Sequence, residues 1–131
     1  MMVVDASALA AVFFMEPDAP RFLRALQQAR YACMSAANFL EIAIIIDNRD
    51  APEQMVDLDL FLTEGAVEII PVTAAQARIA RAAYNRFGKG NHPAGLNFGD
   101  CFAYALAKER DLPLLFKGAD FAQTDVTPAL S

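Results

Sequence analysis

The sequence predicts an α/β fold, in which a mostly parallel central sheet of four to five strands is flanked by helices. Short apolar runs alternate with longer segments of helical pattern along the chain, which is typical of βα units around a parallel sheet. Acidic residues follow the ends of several of these runs, at the sheet edge where such folds bind ligands. At 131 residues the chain suits one hydrophobic core, so we expect a single domain over residues 1–131.

The first half of the chain is predicted to form a strand, two helices, a second strand and a long third helix. Pro17 and Pro20 separate the first two helices, and Ser35 is a suitable N-cap for the third. The β-branched run at residues 42–46 alone favours a strand, but the length of the segment favours a helix. The predicted bounds are residues 2–4, 6–15, 21–30, 32–34 and 35 to about 48.

The second half is predicted to add three helices and two strands. Thr73 with Gln76 matches a capping box, so a helix is expected to begin there. Asn97 with Asp100 forms a similar pair ahead of an apolar helical run at residues 101–107. The predicted bounds are a helix from Pro52 and Glu53 to about Thr63, a strand at 68–72, a helix at 73–87, a Gly-rich loop at 88–95, a helix from Asn97, and a strand at 112–117 before a turn at Gly118.

Composition excludes several classes of protein. No apolar run approaches the ~20 residues that span a bilayer, and no basic residue precedes the first apolar stretch as it would in a secretory signal. We therefore expect a soluble, cytoplasmic protein. Cys33 and Cys101 belong to no C-x-x-C pair and have no histidine nearby, so we interpret them as buried thiols.

The charge is unevenly distributed. A net charge of −5 argues against a broad basic surface that binds nucleic acid by charge alone. Residues 78–92 nevertheless contain no acid, and any nucleic-acid path should run along this segment; a solvated helix face and loop is the alternative. Its basic residues are Arg78, Arg81, Arg86, Lys89 and His92.

Four acidic residues are expected at one end of the predicted sheet. Asp5 and Asp120 lie just beyond predicted strands, Glu41 lies in the second turn of a helix, and Asp100 lies in the first turn of another. Each has an ordinary alternative: a helix cap for Asp100, a solvated stripe shared with Asn38 for Glu41, and loop acids for the other two. Together they indicate a common site.

A cluster of this kind requires a cation. Carboxylates about 4 Å apart repel by roughly 4 kcal/mol per pair at an effective dielectric constant near 20. Because the ligands are oxygens, with no cysteine or histidine nearby, the favoured ions are Mg²⁺ or Mn²⁺. Such an ion can activate a water and stabilise the charge that develops on a phosphodiester.

Four segments carry a resemblance to a known family. With them, the sequence resembles the PIN-domain family from end to end, and within it the VapC-like toxins of VapBC toxin–antitoxin systems. The resemblance implies a three-layer PIN-like fold. The segments are V-V-D-A-S at 3–7, N-F-L-E at 38–41, L-N-F-G-D-C-F-A-Y-A-L-A at 96–107 and L-L-F-K-G-A-D-F-A-Q-T-D-V at 114–126.

The resemblance also implies roles for individual residues. Asp5, Glu41, Asp100 and Asp120 would form the metal-binding, catalytic cluster. Ser7 would support the metal or its waters, and Thr124 would be the hydroxyl residue near the same site. Where the family often has an acid or an amide, this chain has Ala119, so a fifth ligand or a second metal is not implied; Asp125 is the available substitute.

The activity implied by the family is that of an endoribonuclease that depends on Mg²⁺ or Mn²⁺, forms a homodimer and is blocked by a cognate antitoxin. We expect Arg86, Lys89 and His92 to contact RNA phosphates. The alternative is a catalytically inactive PIN-like module that only binds RNA or protein. A receiver domain lacks support because no aspartate ends the third predicted strand, and P-loop and G-x-S-x-G motifs are absent.

The high apolar content predicts a protein interface. Hydrophobic residues make up 56% of the chain, so we expect apolar surface to remain outside the core. The predicted surface comprises the helices at 6–15 and 21–30 and the open face of the helix at 35–48. An antitoxin helix could bind in this groove, with the exposed sides of Phe13 and Phe14 among its contacts.

Overall fold

A computed structural model describes residues 1–49 and 57–130 of the chain. Within these residues, four parallel strands form one sheet in the order β3-β2-β1-β4. The strands are β1 (Met2–Val4), β2 (Ala32–Ser35), β3 (Val67–Ile70) and β4 (Leu114–Leu115). The predicted α/β fold with a parallel central sheet is confirmed.

Six helices in the described parts of the chain flank this sheet. A short 3₁₀ helix, Phe121–Gln123, follows β4. None of these helices is both long and apolar enough to cross a bilayer. The six α-helices are α1 (Ala6–Phe13), α2 (Ala19–Gln28), α3 (Ala36–Asp47), α4 (Leu58–Glu64), α5 (Ala74–Phe87) and α6 (Phe98–Arg110).

The core has two halves, one on each face of the sheet. Successive side chains of a strand point to opposite faces, so Val3 packs with α5 and α6 while its neighbours Met2 and Val4 pack with α1 to α4. This arrangement gives the three layers that were predicted. Cys33 and Cys101 are buried free thiols, as expected.

The last strand is shorter than predicted. We expected residues 112–117, but only Leu114 and Leu115 pair with β1. The strand ends early because the backbone N of Lys117 donates to a side chain, Ser7 Oγ, over 3.0 Å instead of continuing the pairing with β1. The segment that carries Asp120 therefore leaves the sheet earlier than the apolar sequence pattern predicts.

Other boundaries shift by a few residues. Helix α1 ends at Phe13, because Met15 adopts a left-handed conformation at φ 50°. Helix α4 begins at Leu58 behind the N-cap Asp57, and its predicted start at residues 52–53 lies outside the described residues. Half of the predicted Thr73 capping box forms: Thr73 Oγ1 accepts from Gln76 N, but the Gln76 side chain donates to Glu109 instead.

Candidate active site

The first site residue, Asp5, stands at the junction of β1 and α1. It is the N-cap of α1, where its Oδ2 accepts hydrogen bonds from the Ser7 backbone N over 3.0 Å and from Ser7 Oγ over 2.5 Å. The side chain is 4% exposed. Its second oxygen, Oδ1, is buried and has no hydrogen-bond partner, although buried polar groups are almost always paired.

The environment of Asp5 disfavours its charged form. Burial raises the pKa of this carboxyl to about 7 from 3.8; the hydrogen bonds from Ser7 oppose the shift, and the charges of Asp100 and Glu41 add to it. Desolvation and like charges both penalise a carboxylate. A cation at Oδ1 would relieve both effects.

Asp100 is held in place by the start of α6. Asn97 Oδ1 accepts from Asp100 N over 2.9 Å, and Asp100 Oδ2 accepts from Asn97 N over 3.0 Å, so the predicted capping box forms completely. The two interpretations offered for Asp100 are compatible, since capping occupies Oδ2 alone. Burial raises its pKa; the Asn97 backbone opposes this, and the charges of Asp120 and Glu41 reinforce it.

Glu41 lies against the first turn of α6. Its Oε1 accepts a 3.2 Å hydrogen bond from Nδ2 of Asn38, which also donates to the Gly99 carbonyl over 2.9 Å. Asn38 is fully buried, so the solvated stripe considered for Glu41 and Asn38 is wrong. The cause is tertiary: the first turn of α6 packs against Asn38 on α3, and the Gly99 carbonyl accepts a hydrogen bond from the Asn38 amide.

Asp120 is the outermost of the four acids. It is exposed, precedes the 3₁₀ helix Phe121–Gln123 and makes no side-chain capping bond there. Its charge raises the pKa of Asp100. Asp120 is therefore close enough to Asp100 for their charges to repel, and Asp100 and Glu41 are close enough to repel the charge of Asp5.

The donor set fits a hard cation. Among the described residues, no group of three or more histidine, cysteine, aspartate or glutamate side chains is already arranged to hold a metal ion. The fit rests instead on chemistry and on the unpaired oxygen of Asp5: the donors are carboxylates, which Mg²⁺ and Mn²⁺ prefer. The two buried side-chain polar atoms without a partner in the described chain, Asp5 Oδ1 and Asn38 Oδ1, both belong to this site.

The three further residues considered near the site differ in their contacts. Ser7 connects Asp5 to the backbone of Lys117. The Thr124 hydroxyl closes a local turn, donating to Phe121 O over 2.7 Å and accepting from Val126 N over 3.3 Å. Asp125 is engaged elsewhere, since it accepts from Tyr104 over 2.6 Å and pairs with Lys108 and Arg86.

The three residues expected to contact phosphates have unequal surroundings. Arg86 lies 3.6 Å from Asp125 and stacks over the Phe87 ring. His92 accepts from Ala94 N at Nδ1 and packs edge-on against Phe87. Lys89 instead lines a cavity beside the N-terminus of α6. Of the three, its side chain alone has no protein partner in the described chain.

Sequence reasoning missed Gly99 and misassigned Asn38. A Cβ added to Gly99 would lie 2.9 Å from Glu41 Cδ, 3.0 Å from Oε1 and closer still to Oε2. Gly99 therefore allows the Glu41 carboxylate to reach the start of α6. The signals were present, because Asn38 precedes Glu41 by one helical turn and a glycine directly precedes Asp100, but neither spacing shows which helix packs opposite.

The helix α3 presents an exposed apolar face next to the site. Leu40 and Ile44, one turn apart, are 57% and 50% exposed. Phe13 and Phe14, for which we expected exposed sides, are half-buried: Phe13 packs edge-on against Phe61, and the Arg49 guanidinium lies over the Phe14 ring.

A second apolar surface lies between α5 and α6. Here a groove with a volume of about 520 Å³ has a mainly apolar lining that includes Ala80, Tyr84 and Phe102, with Lys89 at its edge. Phe98 also lines this groove and is 79% exposed. Exposed patches of this kind mark interaction surfaces.

Comparison with known proteins gives consistent matches. The PIN domain family model matches residues 2–126. Ribonuclease VapC30 of Mycobacterium tuberculosis is 50% identical over 125 residues, which is 95% of each chain, and ribonuclease VapC of Mycolicibacterium smegmatis is 50% identical over 95% of this chain and 97% of its own.

Solved structures share the fold at low sequence identity. Mycobacterium tuberculosis VapC20, described as a toxin that cleaves the sarcin–ricin loop, superimposes with a TM-score of 0.78 at 16% identity, covering 97% of both chains. VapBC2 of Rickettsia felis, bound to a DNA fragment from its promoter, gives a TM-score of 0.74 at 14% identity, with 97% of this chain and 95% of the other covered.

Proposed function

This chain belongs to the PIN domain family, and on that premise we propose that it is a metal-dependent endoribonuclease, the toxin of a type II toxin–antitoxin system. The observation that carries the proposal is the buried Asp5 carboxylate, whose Oδ1 has no partner while Asp100 and Glu41 repel its charge. Relatives named VapC ribonuclease, at 50% identity over 95% of the chain, support the same activity. Its place of action is the cytoplasm, where RNA is available.

The metal would be held by the acidic cluster of Asp5, Glu41, Asp100 and Asp120. When bound, Mg²⁺ or Mn²⁺ supplies an activated water and charge stabilisation for hydrolysis of a phosphodiester. The protein holds the carboxylates in position. Ser7 fixes one oxygen of Asp5, and Asn97 fixes one oxygen of Asp100, so each carboxylate keeps its other oxygen for the ion.

RNA would approach along the basic segment 78–92, with Arg86, Lys89 and His92 near its phosphates. Lys89 is the strongest candidate because its ammonium group has no acidic partner in the described chain and it lies beside α6, whose first turn carries Asp100. Arg86 would have to share its charge with Asp125. His92 would use the ring nitrogen left free by its bond from Ala94.

The cognate antitoxin would bind along α3. Several similar structures are toxin–antitoxin complexes, among them one from Klebsiella pneumoniae. An amphipathic antitoxin helix that covers Leu40 and Ile44 would run past Glu41, which lies between them in the sequence. A basic side chain from that helix would then reach the acidic cluster and compete with both metal and substrate.

A second copy of this chain is the proposed occupant of the groove between α5 and α6. Its mainly apolar lining suits protein rather than a phosphate backbone, and the exposed Phe98 within that lining provides a side chain that a two-fold partner would bury. Phe98→Glu should convert a dimer to a monomer in sedimentation analysis. An unchanged mass would exclude this surface as the dimer interface.

The remaining alternative is an inactive PIN-like module that binds RNA or protein without cleaving. Retention of all four acids argues against it. Incubating the purified protein with total RNA in Mg²⁺, Mn²⁺ or a chelator separates the two: cleavage that requires the metal supports the nuclease, and intact RNA under every condition supports the module.

A further inference from the structure

The Glu41 carboxylate is held by a contact that neither the acidic cluster nor the helix caps explain. One nitrogen, Asn38 Nδ2, donates to both Glu41 Oε1 at 3.2 Å and the Gly99 carbonyl at 2.9 Å. The contact therefore joins α3 to the first turn of α6, one residue before Asp100. Among the described contacts between Asn38 and its neighbours, both hydrogens of the amide are used.

The orientation of the Asn38 amide follows from its partners. Both partner atoms, a carboxylate oxygen and a carbonyl oxygen, are acceptors, so the reverse orientation would place the amide oxygen against two oxygens. The chosen orientation leaves Asn38 Oδ1 buried without a partner. A buried oxygen left unpaired is costly, but the two donated bonds favour this orientation over its reverse.

Gly99 forms the other side of this contact. Any side chain at residue 99 would bring a Cβ to within 3.0 Å of Glu41 Oε1 and 2.9 Å of Cδ. The atoms in conflict belong to the end of a flexible side chain, so the helix itself would tolerate alanine. The Glu41 carboxylate would have to move.

We propose that Asn38 and Gly99 are positioning residues, which together hold the Glu41 carboxylate against the start of α6 so that it and Asp100 bind one metal ion. This inference rests on the proposed function. It concerns residues other than the acids, because Asn38 would act through Glu41 and would not contact the ion. Partners that orient a metal ligand typically contribute about 10- to 100-fold to metal affinity.

Asn38→Ala tests the hydrogen-bonding half of the proposal. Titration of Mn²⁺ into metal-free protein by calorimetry should show affinity reduced about 10- to 100-fold. RNA cleavage should recover at high Mn²⁺ concentration, because the ligands themselves remain. Ile42→Val is the matched control: it trims a fully buried residue of the same helix and should leave Mn²⁺ affinity unchanged. Equal affinity in the wild type and Asn38→Ala would overturn the proposal.

Gly99→Ala tests the steric half of the proposal. It also provides a variant that is expected to stay folded, in case Asn38→Ala unfolds. Alanine is a better helix former than glycine, so a purely structural role predicts an equal or higher melting temperature with unchanged Mn²⁺ affinity. The proposal predicts a folded protein whose Mn²⁺ affinity is lower. Unchanged affinity in a folded Gly99→Ala protein would contradict it.

A double-mutant cycle separates this inference from the proposed function. If Asn38 acts through Glu41, Asn38→Ala should weaken Mn²⁺ binding in the wild type but add little to Glu41→Ala. Additive losses would overturn the positioning role. A wild-type protein that binds no Mn²⁺ would instead overturn the proposed function, whereas a wild type that binds Mn²⁺ and is unaffected by either substitution would overturn this inference alone.

Discussion

The Ser7 hydroxyl donates a 2.5 Å hydrogen bond to Oδ2 of Asp5, while Oδ1 of the same carboxylate is buried without a partner. The same hydroxyl accepts a bond from the backbone N of Lys117. Ser7 thus ties the end of β1 to the chain beyond β4, and it fixes which Asp5 oxygen remains for a cation.

Ser7→Ala should weaken metal binding in a pH-dependent manner. The hydrogen bonds from Ser7 oppose the rise in the pKa of Asp5, so losing the hydroxyl should raise that pKa further and make the carboxylate harder to ionise near pH 7. We expect roughly 10- to 100-fold weaker Mn²⁺ binding, with part of the loss recovered at higher pH. Thr63→Ala, which removes an exposed hydroxyl from α4, is the control. An identical loss at every pH would contradict this explanation.

The stability of the metal-free protein should fall as pH rises from about 4 to about 7. The folded-state pKa of Asp5 is raised to about 7 from 3.8, so across this interval the folded protein retains a proton that the unfolded chain releases. Its contribution to stability is therefore present at low pH and lost as pH rises through the folded-state pKa. Melting temperatures in chelator should show this trend.

Asp5→Asn provides the matched comparison, since it keeps the shape of the side chain and removes its titration. This variant should lack the Asp5 contribution to the pH trend, and at neutral pH it should melt above the metal-free wild type. Mn²⁺ should stabilise the wild type more than the variant. Parallel pH curves for the two metal-free proteins would show that Asp5 is not the titrating group.

Lys89→Glu should weaken RNA binding and reduce its dependence on salt. The logarithm of the binding constant falls as the logarithm of the salt concentration rises. Each phosphate contact that is lost makes this slope less steep by about 0.7 for single-stranded RNA. The measurement is fluorescence anisotropy with Asp100→Asn protein, so that the RNA stays intact. Arg24→Glu makes the same charge change on α2, across the sheet. If both variants reduce the slope equally, the effect is one of net charge and Lys89 has no specific role.

Ile44→Asp should loosen the antitoxin without slowing RNA cleavage. Its side chain is 50% exposed on α3, so a charge there disturbs a docking surface rather than the core. Leu60→Asp places the same charge on an exposed leucine of α4 and should have no effect on the complex. Affinity between purified toxin and antitoxin is the measurement. Equal affinity for Ile44→Asp and the wild type would remove α3 from the interface.

Local sequence signals account for the placement of two of the four acids of the candidate site. The N-cap at Asp5 and the capping box of Asn97 with Asp100 depend on residues two or three positions apart, and Asp5 directly follows β1 at the edge of the parallel sheet. Contacts between distant residues could not be read in the same way. The bond from Lys117 to Ser7, which ends β4 early, spans 110 residues, and the edge-on contact between Phe13 and Phe61 joins α1 to α4.

The burial of Asn38 shows the same limit within the site. Its spacing from Glu41 fits a polar stripe on one helix, and an isolated α3 would expose both residues. Packing of α6 across that stripe buries Asn38 fully. Which face a helix buries depends on its partner, and the sequence of one helix does not specify the partner.

The most direct test of the central claim is RNA cleavage by Asp100→Asn in Mn²⁺. This substitution keeps the size of the side chain and an oxygen that can accept from Asn97 N, so the capping bond and the fold should persist while one negative charge is lost. We predict a folded protein with no detectable cleavage, beside a wild type whose cleavage stops in chelator. Cleavage at the wild-type rate by Asp100→Asn, or by the wild type in excess chelator, would contradict the assignment of the acidic cluster as a metal-dependent nuclease site.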